Sequence, residues 1–540
     1  MKKIIFLIIA SLLVIGLVLP GCEGEGEGFE NWITIAVAGP MTFIQGRDHL
    51  AGAEMARDEI NDAGGVTVDS LVYGIALEEV DTNEILDTSG VTGTTALTAV
   101  IDDVDFVVGG FRTEAVTVYR EVAMDAGVIF IDDGAATREL CESVLLDYDQ
   151  YKYFFKGTPY NSTFLFVNSI KQLMSANAKL RAAANMTPGP GTTIALIVED
   201  AEWTGAFKAA LEFYLPNVYG FTLVGTTQTP ASTDTDLSAE LTAIAGAGDP
   251  MITMTIISGP PGKAYGMQQA IYLPNTFSTG INVEAQDIDY HHDTGAEYHC
   301  TMDTWAEGLV YTAGTQDFWD EFMSRTGRYP TYCAATYDSI KALVEAIEDV
   351  GLNTADIITW LENLDNAYTG TAATTGYIPM PAIDLTGLNV TNLDAGLSAA
   401  QAYALYPHLP AMYGENYTEM EANWMAHLLD ANSSLGGFTD ENGFVPHDTV
   451  YGPGWQTGAN AQWQPVDPED LEGEWHKVAW WPNVAVPGVG ENTPAVDLTP
   501  GEITTLLTYG LLDKYGNWNM AYEGTVPFAI PEVWLDHWGP

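Results

Sequence analysis

Positive charge is scarce in this sequence. Lysine and arginine total 19 against 73 aspartates and glutamates, a formal net charge of −54 over 540 residues. Tracking a phosphate backbone takes basic residues in quantity, so this balance excludes a nucleic-acid partner. It also argues against a body that lies flat on an anionic membrane. Cysteine is nearly as rare, with Cys22, Cys141, Cys300 and Cys333 the whole complement. No CxxC pair occurs, which removes zinc ribbons and thioredoxin-like motifs. The three cysteines beyond Cys22 allow one disulfide and one free thiol in an oxidising compartment. After residue 30 the apolar runs are strand-sized and broken by Gly, Pro or charge, so neither a second spanning segment nor a cytoplasmic signalling domain is expected. GxSxG, HExxH, P-loop and GxGxxG signatures are missing from any fitting context, so no enzyme and no cofactor are expected. With so many acids, a chosen pair of carboxylates carries no information.

The amino terminus is one of the few places where charge and hydrophobicity are sharply patterned. Lys2-Lys3 precede an apolar run from Ile4 to Leu19, followed by Pro20-Gly21-Cys22. This is the layout of an export signal. The run falls short of the ~20 apolar residues of a spanning helix. Cys22 after Gly21 resembles a bacterial lipobox, in which the cysteine is lipidated and becomes the first mature residue. Residues 1–22 are therefore read as a lipoprotein signal and 23–31 as a flexible, self-repelling tether. An uncleaved anchor would put the body on the same side, outside the cytoplasm and held to the outer face of the membrane.

The body is organised around Phe106 to Thr137. An apolar run, Phe106 to Val108, ends at Gly109-Gly110. A helical pattern follows from Thr113 or Glu114, and a second apolar run, Val128 to Ile131, ends in Gly134-Ala135-Ala136-Thr137. This is a β-α-β unit. In a parallel α/β sheet the ligand sits beyond the carboxyl ends of the strands, where a helix start aims free N–H groups. Upstream, Trp32 to Ala38 and Ile75 to Val80 read as strands, and Leu50 to Ala63 and Val91 to Ile101 as helices. A second β/α set follows: strands Thr193 to Val198, Phe221 to Thr227 and Met251 to Ile257, with helices Ala206 to Leu215, Leu237 to Ile244 and Gly262 to Tyr272. Such alternation predicts doubly wound parallel sheets.

Several motifs make the reading more specific. Gly39-Pro40-Met41-Thr42 closes the first strand, Glu59-Ile60-Asn61 and Gly64-Gly65 end the first helix, and VDFVVGGF and AGVIFI follow. Together these resemble the type I periplasmic binding proteins, in the branch of the leucine/isoleucine/valine-binding receptors of ABC importers. YFFKGTPYNSTF resembles the crossover into the second lobe, WAEGLVYT the strand that returns, residues 315–351 the paired helices, and GANAQWQ the last strand of the second lobe. The resemblance implies two doubly wound lobes joined by a hinge: 32–155 with 313–375 returning, and 156–312 with 434–466 returning. Residues 376–433 fit poorly and are read as an insertion with short helices (Leu397 to Tyr406, Glu419 to Leu429). An Asn442-Gly443 hairpin turn follows. Residues 467–540, rich in Trp and Pro, are read as an ordered carboxyl-terminal extension.

The resemblance also implies a site. A ligand carboxylate would be held by Thr113 and by Ala135, Ala136 and Thr137, with Arg112 beside them. Glu114 would repel an anion unless it points away. Tyr160 and Trp203 are the candidate aromatics from the second lobe, and Glu202, Glu284 and Asp200 the candidate acids for a ligand ammonium. Phe43 and Gln45 follow the first strand and are candidates for the cleft wall. The function implied is that of an extracytoplasmic solute-binding protein, which captures an amino acid or related carboxylate and delivers it to an ABC permease. Two alternatives stay open. The same body would serve as a sensor for a separate kinase or chemoreceptor. Or it would be a surface metal-binding protein or hydrolase, with His291, His292, His299 and Cys300 as ligands of a zinc-like ion.

Overall fold

The first lobe is built outward from β1 (Asn31–Gly39), an apolar strand buried on both faces. The computed structural model describes residues 28–186, 191–217, 219–372, 374–377, 446–449, 458–481 and 529–539. Cys22 and most of the tether, the insertion after residue 377 with its helices, and the Asn442-Gly443 turn lie outside the described residues. On one side of β1 lies β3 (Leu71–Asp81), itself paired antiparallel with β2 (Val66–Val68). On the other side follow β4 (Phe106–Gly109), β5 (Ile129–Asp132) and β6 (Phe154–Lys156). Apart from the β2–β3 hairpin every pairing is parallel.

Alternation along the strands feeds two cores. Ile33, Ile35, Val37, Phe106 and Ile131 face α1 (Ile44–Asp62), with Ala53, Ala56 and Ile60 opposite them. Ala36, Ala38, Val107 and Phe130 face the other way, toward Leu97 of α2 (Val91–Thr98) and Val116, Tyr119 and Ala123 of α3 (Thr113–Ala126). Helices on both faces are what a parallel sheet requires. The strand order reverses at β1, so the loops after β1 and β4 diverge and leave a crevice.

After α4 (Glu139–Leu146), α5 (Tyr148–Tyr151) and β6, the chain passes through Gly157 to Tyr160 into α6 (Ser162–Ala183), which packs on the second lobe. That lobe carries β7 (Thr193–Val198), β8 (Thr222–Leu223), β9 (Ile252–Ile257) and β10 (Phe277–Asn282) in the order β10-β9-β7-β8, all parallel. Ile194, Leu196, Met254 and Ile256 meet α6 and α7 (Glu202–Asn217). Ala195, Ile197 and Ile257 meet α8 (Ser238–Ala247) and α9 (Pro261–Tyr272). The short α10 (Tyr290–Thr294) follows. Then α11 (Thr315–Thr326), α12 (Thr336–Val350) and α13 (Thr354–Leu361) return to the β1 core, with Ile340, Leu343 and Ile347 of α12 buried against it.

Three expectations need correction. The stretch 305–312 is not a strand. It makes only isolated bridges, Glu307 to Val478 among them. The expected strand from Phe221 to Thr227 shortens to Thr222–Leu223. In both segments a glycine at positive φ, Gly308 at 75° and Gly225 at 70°, turns the chain out of the extended conformation. Cys141, Cys300 and Cys333 are all buried free thiols, so the one disulfide that three cysteines allow does not form among them.

The carboxyl-terminal extension contributes regular structure. After a short β12–β13 ladder (Tyr368–Thr369, Thr374–Thr375), β11 (Cys300–Asp303), β14 (Ala459–Pro465) and β15 (Trp475–Trp481) form an antiparallel sheet beside β10. The final helix α14 (Glu532–Trp538) docks on the second lobe by its tryptophans. Trp534 is fully buried and donates to the Met251 carbonyl at 3.0 Å, and Trp538 donates to the Asn275 carbonyl at 2.8 Å. Trp534→Ala is expected to cost ~3–5 kcal/mol, the usual range for emptying a buried aromatic site. Urea unfolding followed by circular dichroism measures it, and a loss below ~1 kcal/mol would show that α14 is only laid on the surface.

Candidate functional site

The loop after β4 is fixed before it reaches the cleft. Glu84, buried after β3, accepts the backbone N–H groups of Phe111 and Arg112 at 3.2 and 2.7 Å. Burial pushes its carboxyl up to about 7 against those hydrogen bonds. Held this way, Arg112 leaves the first lobe, and its side chain, 1% exposed, crosses to the second. Its Nη2 meets Glu199 Oε1 at 2.7 Å and its Nη1 donates to Ser258 Oγ at 3.1 Å. Glu199 follows β7 and Ser258 follows β9. The other Glu199 oxygen accepts both the N–H and the O–H of Ser258, at 2.6 and 2.7 Å. Trp203 Nε1 donates to the same Ser258 Oγ at 3.1 Å. This hydroxyl thus donates once and accepts twice, its full capacity. Gly259 makes room for the arrangement, since a Cβ there would stand 2.6 Å from Arg112 Nη2.

Further contacts close the lobes on each other. Gln45 Nε2 reaches the Ser258 carbonyl and Glu284 Oε1, both at 3.2 Å. Glu114 Oε1 accepts the backbone N–H of Glu202 at 3.2 Å. Glu114 therefore faces the start of α7, where a helix end favours a negative charge. The Glu202 side chain is exposed, and its carboxyl is raised by partial burial and by the neighbouring Glu114 and Glu139. The Glu284 carboxyl is raised mainly by burial, its bond from Gln45 opposing.

Between the lobes lies a pocket with about 570 Å³ of empty space, its mouth included. Phe111, Ala136, Tyr160, Leu165, Trp203, Ile281, Val283, Met302 and Tyr332 give it an apolar wall, and Ser258, Gln286, Asp303 and Thr304 are its polar side chains. Phe111 and Tyr332 stack with centroids 6.4 Å apart, and Tyr332 Oη donates to the Gly134 carbonyl at 3.3 Å. Asp303 is raised to about 6 by burial, with Lys477 of β15 opposing. Lys477 Nζ bonds Asp303 Oδ2, and the other Asp303 oxygen accepts the Thr304 N–H at 2.7 Å.

The expected residues divide into groups. Ala136, Tyr160 and Trp203 line the pocket. Thr113 and Thr137, beside the lining residues, have buried hydroxyls with no protein partner. The Ala135 carbonyl instead accepts Lys156 Nζ. Arg112, expected beside the ligand, is committed to Glu199. Phe43 packs half-buried against the second lobe's core. Asp200 is exposed. Phe111, Tyr332, Ser258 and Glu199 were not foreseen. Ser258 and Glu199 share one legible signal, since each directly follows an apolar strand of the second lobe.

The histidine group does not assemble. His299 is buried between the Tyr290 hydroxyl at 3.2 Å and Gln269 Oε1 at 3.1 Å, and burial lowers it to about 3. His291 stacks on Trp475 at 4.5 Å, His292 is exposed beside Asp293, and Cys300 is buried in β11. Among the described residues no group of three or more His, Cys, Asp or Glu side chains is placed to hold a metal. The sequence spacing hid this because a strand and a helix send the side chains different ways.

Two doubly wound lobes with an apolar pocket between their strand ends define a two-lobed binding protein. The family model described as periplasmic binding protein matches residues 33–380, and the chain belongs to that family. Its members bind small molecules outside the cytoplasm, work with ABC permeases and are not enzymes. Among the described residues no helix is long and apolar enough to cross a membrane. Solved structures share the fold. The branched-chain amino acid transporter substrate-binding protein LivJ of Streptococcus pneumoniae, in complex with isoleucine, is 20% identical over 64% of this chain and 92% of its own, with a TM-score of 0.50. A putative branched-chain amino acid ABC transporter from Silicibacter pomeroyi is 16% identical over 86% and 98%, TM-score 0.53. A solute-binding protein from Rhodopseudomonas palustris in complex with benzoate is 12% identical over 64% and 89%, TM-score 0.50.

Proposed function

We propose that this chain is an exported solute-binding protein, anchored through lipidated Cys22, that delivers an amino acid or related carboxylate to an ABC permease. The lobes would divide as 32–155 with 313–375 and 156–312 with 434–466, and ligand would close them. The observation that carries the reading is the interlobe pocket, with walls from both lobes and beside it the buried, unpartnered hydroxyls of Thr113 and Thr137. The free N–H groups at the start of α3 suit a carboxylate at that point. The apolar wall suits a hydrocarbon or aromatic body.

A thermal-shift panel of amino acids, small carboxylates and amides tests it, using protein that starts at Glu23. A ligand at 100 times its Kd adds about 2.7 kcal/mol of stability. Thr113→Ala and Thr137→Ala are each expected to weaken a carboxylate hit by ~1.5–3 kcal/mol, the range for a hydrogen bond to a charged group. Silence across the panel, or full affinity in both variants, sinks the carboxylate reading.

A further inference from the structure

We propose that Arg112 stands in for the cationic pole of a zwitterionic ligand, so that the pocket selects carboxylates without an α-amino group. The inference rests on the carboxylate reading above and narrows it. An amino acid brings two charges into a closed cleft, and its ammonium needs an acid with acceptor capacity to spare. The two acids that meet this pocket are already committed to cations. Both Glu199 oxygens are taken, one by the Arg112 guanidinium and one by the N–H and O–H of Ser258. Asp303, the acid among the lining residues, is held by Lys477 and the Thr304 N–H. Asp132, Asp133 and Glu114 each keep a buried oxygen without a hydrogen-bond partner, and none of the three is among the residues that line the cavity.

The ion pair belongs to the pocket wall. Phe111 precedes Arg112 in the chain, and Ser258 and Trp203 bond to the pair or to each other, and all three line the cavity. Its guanidinium and carboxylate are 1% and 0% exposed, so the pair is sealed from water and from exchange with a small ligand. What remains open to the ligand's second end is hydrocarbon, aromatic ring and the uncharged side chains of Gln286 and Thr304. An ammonium placed there is stripped of water with no counter-charge, which costs several kcal/mol. A hydrogen or a methyl group in its place costs nothing of this kind.

Isothermal titration calorimetry on the wild-type chain with matched pairs tests this: alanine and propanoate, leucine and 4-methylpentanoate, phenylalanine and 3-phenylpropanoate. For the pair whose side chain fits, the des-amino acid is expected to bind at least about tenfold tighter, a difference of 1.4 kcal/mol. An amino acid that binds as tightly as its des-amino partner, or tighter, overturns the inference and leaves the carboxylate reading standing. Binding of neither member of any pair overturns both. Arg112→Met frees Glu199 and should move the Kd ratio at least about tenfold toward the amino acid, whereas Arg112→Lys, which keeps a cation opposite Glu199, should preserve the wild-type preference. A ratio unchanged in Arg112→Met removes Arg112 as the determinant. The ratio is informative even if both affinities fall, because a change in the cost of lobe closure cancels between the two ligands.

Discussion

Arg112→Ala is expected to open the cleft. The substitution leaves Glu199, which is fully buried in the closed form, facing an apolar pocket with no counter-charge. Removing one partner of a buried ion pair costs ~3–5 kcal/mol. Here the molecule has an escape that a rigid core lacks: the lobes can part and rehydrate the carboxylate. The cost should therefore appear in the closing equilibrium rather than in unfolding. Each 1.4 kcal/mol is a factor of ten in the closed population, so ligand affinity should fall by roughly a hundredfold to several thousandfold. Small-angle scattering of the ligand-free variant should show a larger radius of gyration than wild type. The double variant Arg112→Met with Glu199→Met should recover much of the closure, since a packed apolar pair of similar volume often matches a buried ion pair. A single variant as closed as wild type would mean that the contacts of Gln45 and Glu114 hold the lobes unaided.

The fold was legible where apolar periodicity and punctuation agreed. β7 is found where the sequence puts it, at Thr193–Val198, because seven apolar or β-branched residues stand between Gly191 and the charged Glu199. Hairpin β2–β3 was not read. Its turn is Asp69-Ser70, both at positive φ, and Asp-Ser is a far weaker hairpin signal than Asn-Gly. β15 was hidden by its composition, since Trp475 to Trp481 mixes charge and aromatics, and its Lys477 points into the protein to meet Asp303. A buried lysine on a strand reads as a solvent-facing one until its partner, 174 residues away in the chain, is known.

The site divides in the same way. The positions of Ala136, Tyr160 and Trp203 follow from strand ends and turns, which local sequence reports. The role of Arg112 does not. A loop arginine beside a threonine looks like a ligand contact or a solvated charge, and only the meeting of β4 with the ends of β7 and β9 shows that its partner is Glu199. The same holds for Glu114, whose charge seemed adverse to an anionic ligand and is spent on the N-terminus of α7.

The second large effect concerns pH. The fold buries carboxyls that prefer to keep their protons. Glu84 and Asp132 are both raised to about 7, each mainly by burial, and Asp303, Asp338 and Asp448 to about 6. In the unfolded chain such groups titrate near ~4. The folded state therefore holds protons that the unfolded state has released, and the stability this gives is complete below about 4 and lost as pH rises through about 7. Two histidines act in the opposite sense. Burial lowers His49 to about 4 and His299 to about 3. The unfolded imidazole takes up a proton near ~6.5, so their contribution is present above that value and is lost as pH falls toward about 4. From pH 8 down to 6.5 the carboxyls act unopposed, and relief of the self-repulsion of a chain with formal charge −54 adds to them. Below 6.5 the histidines oppose them. The five carboxyls outnumber the two histidines, so the unfolding midpoint should rise as pH is lowered from 8.5, rise less steeply below ~6.5, and turn down only near ~4, where the unfolded carboxyls take up protons of their own. Calorimetric scans at constant ionic strength measure this profile, and Glu84→Gln should flatten the limb between pH 6 and 8 while leaving the acid limb in place. A midpoint that is constant or falls from pH 8 to 6 would mean that these carboxyls reach water, and would leave the closed, dry strand ends without their strongest electrostatic consequence.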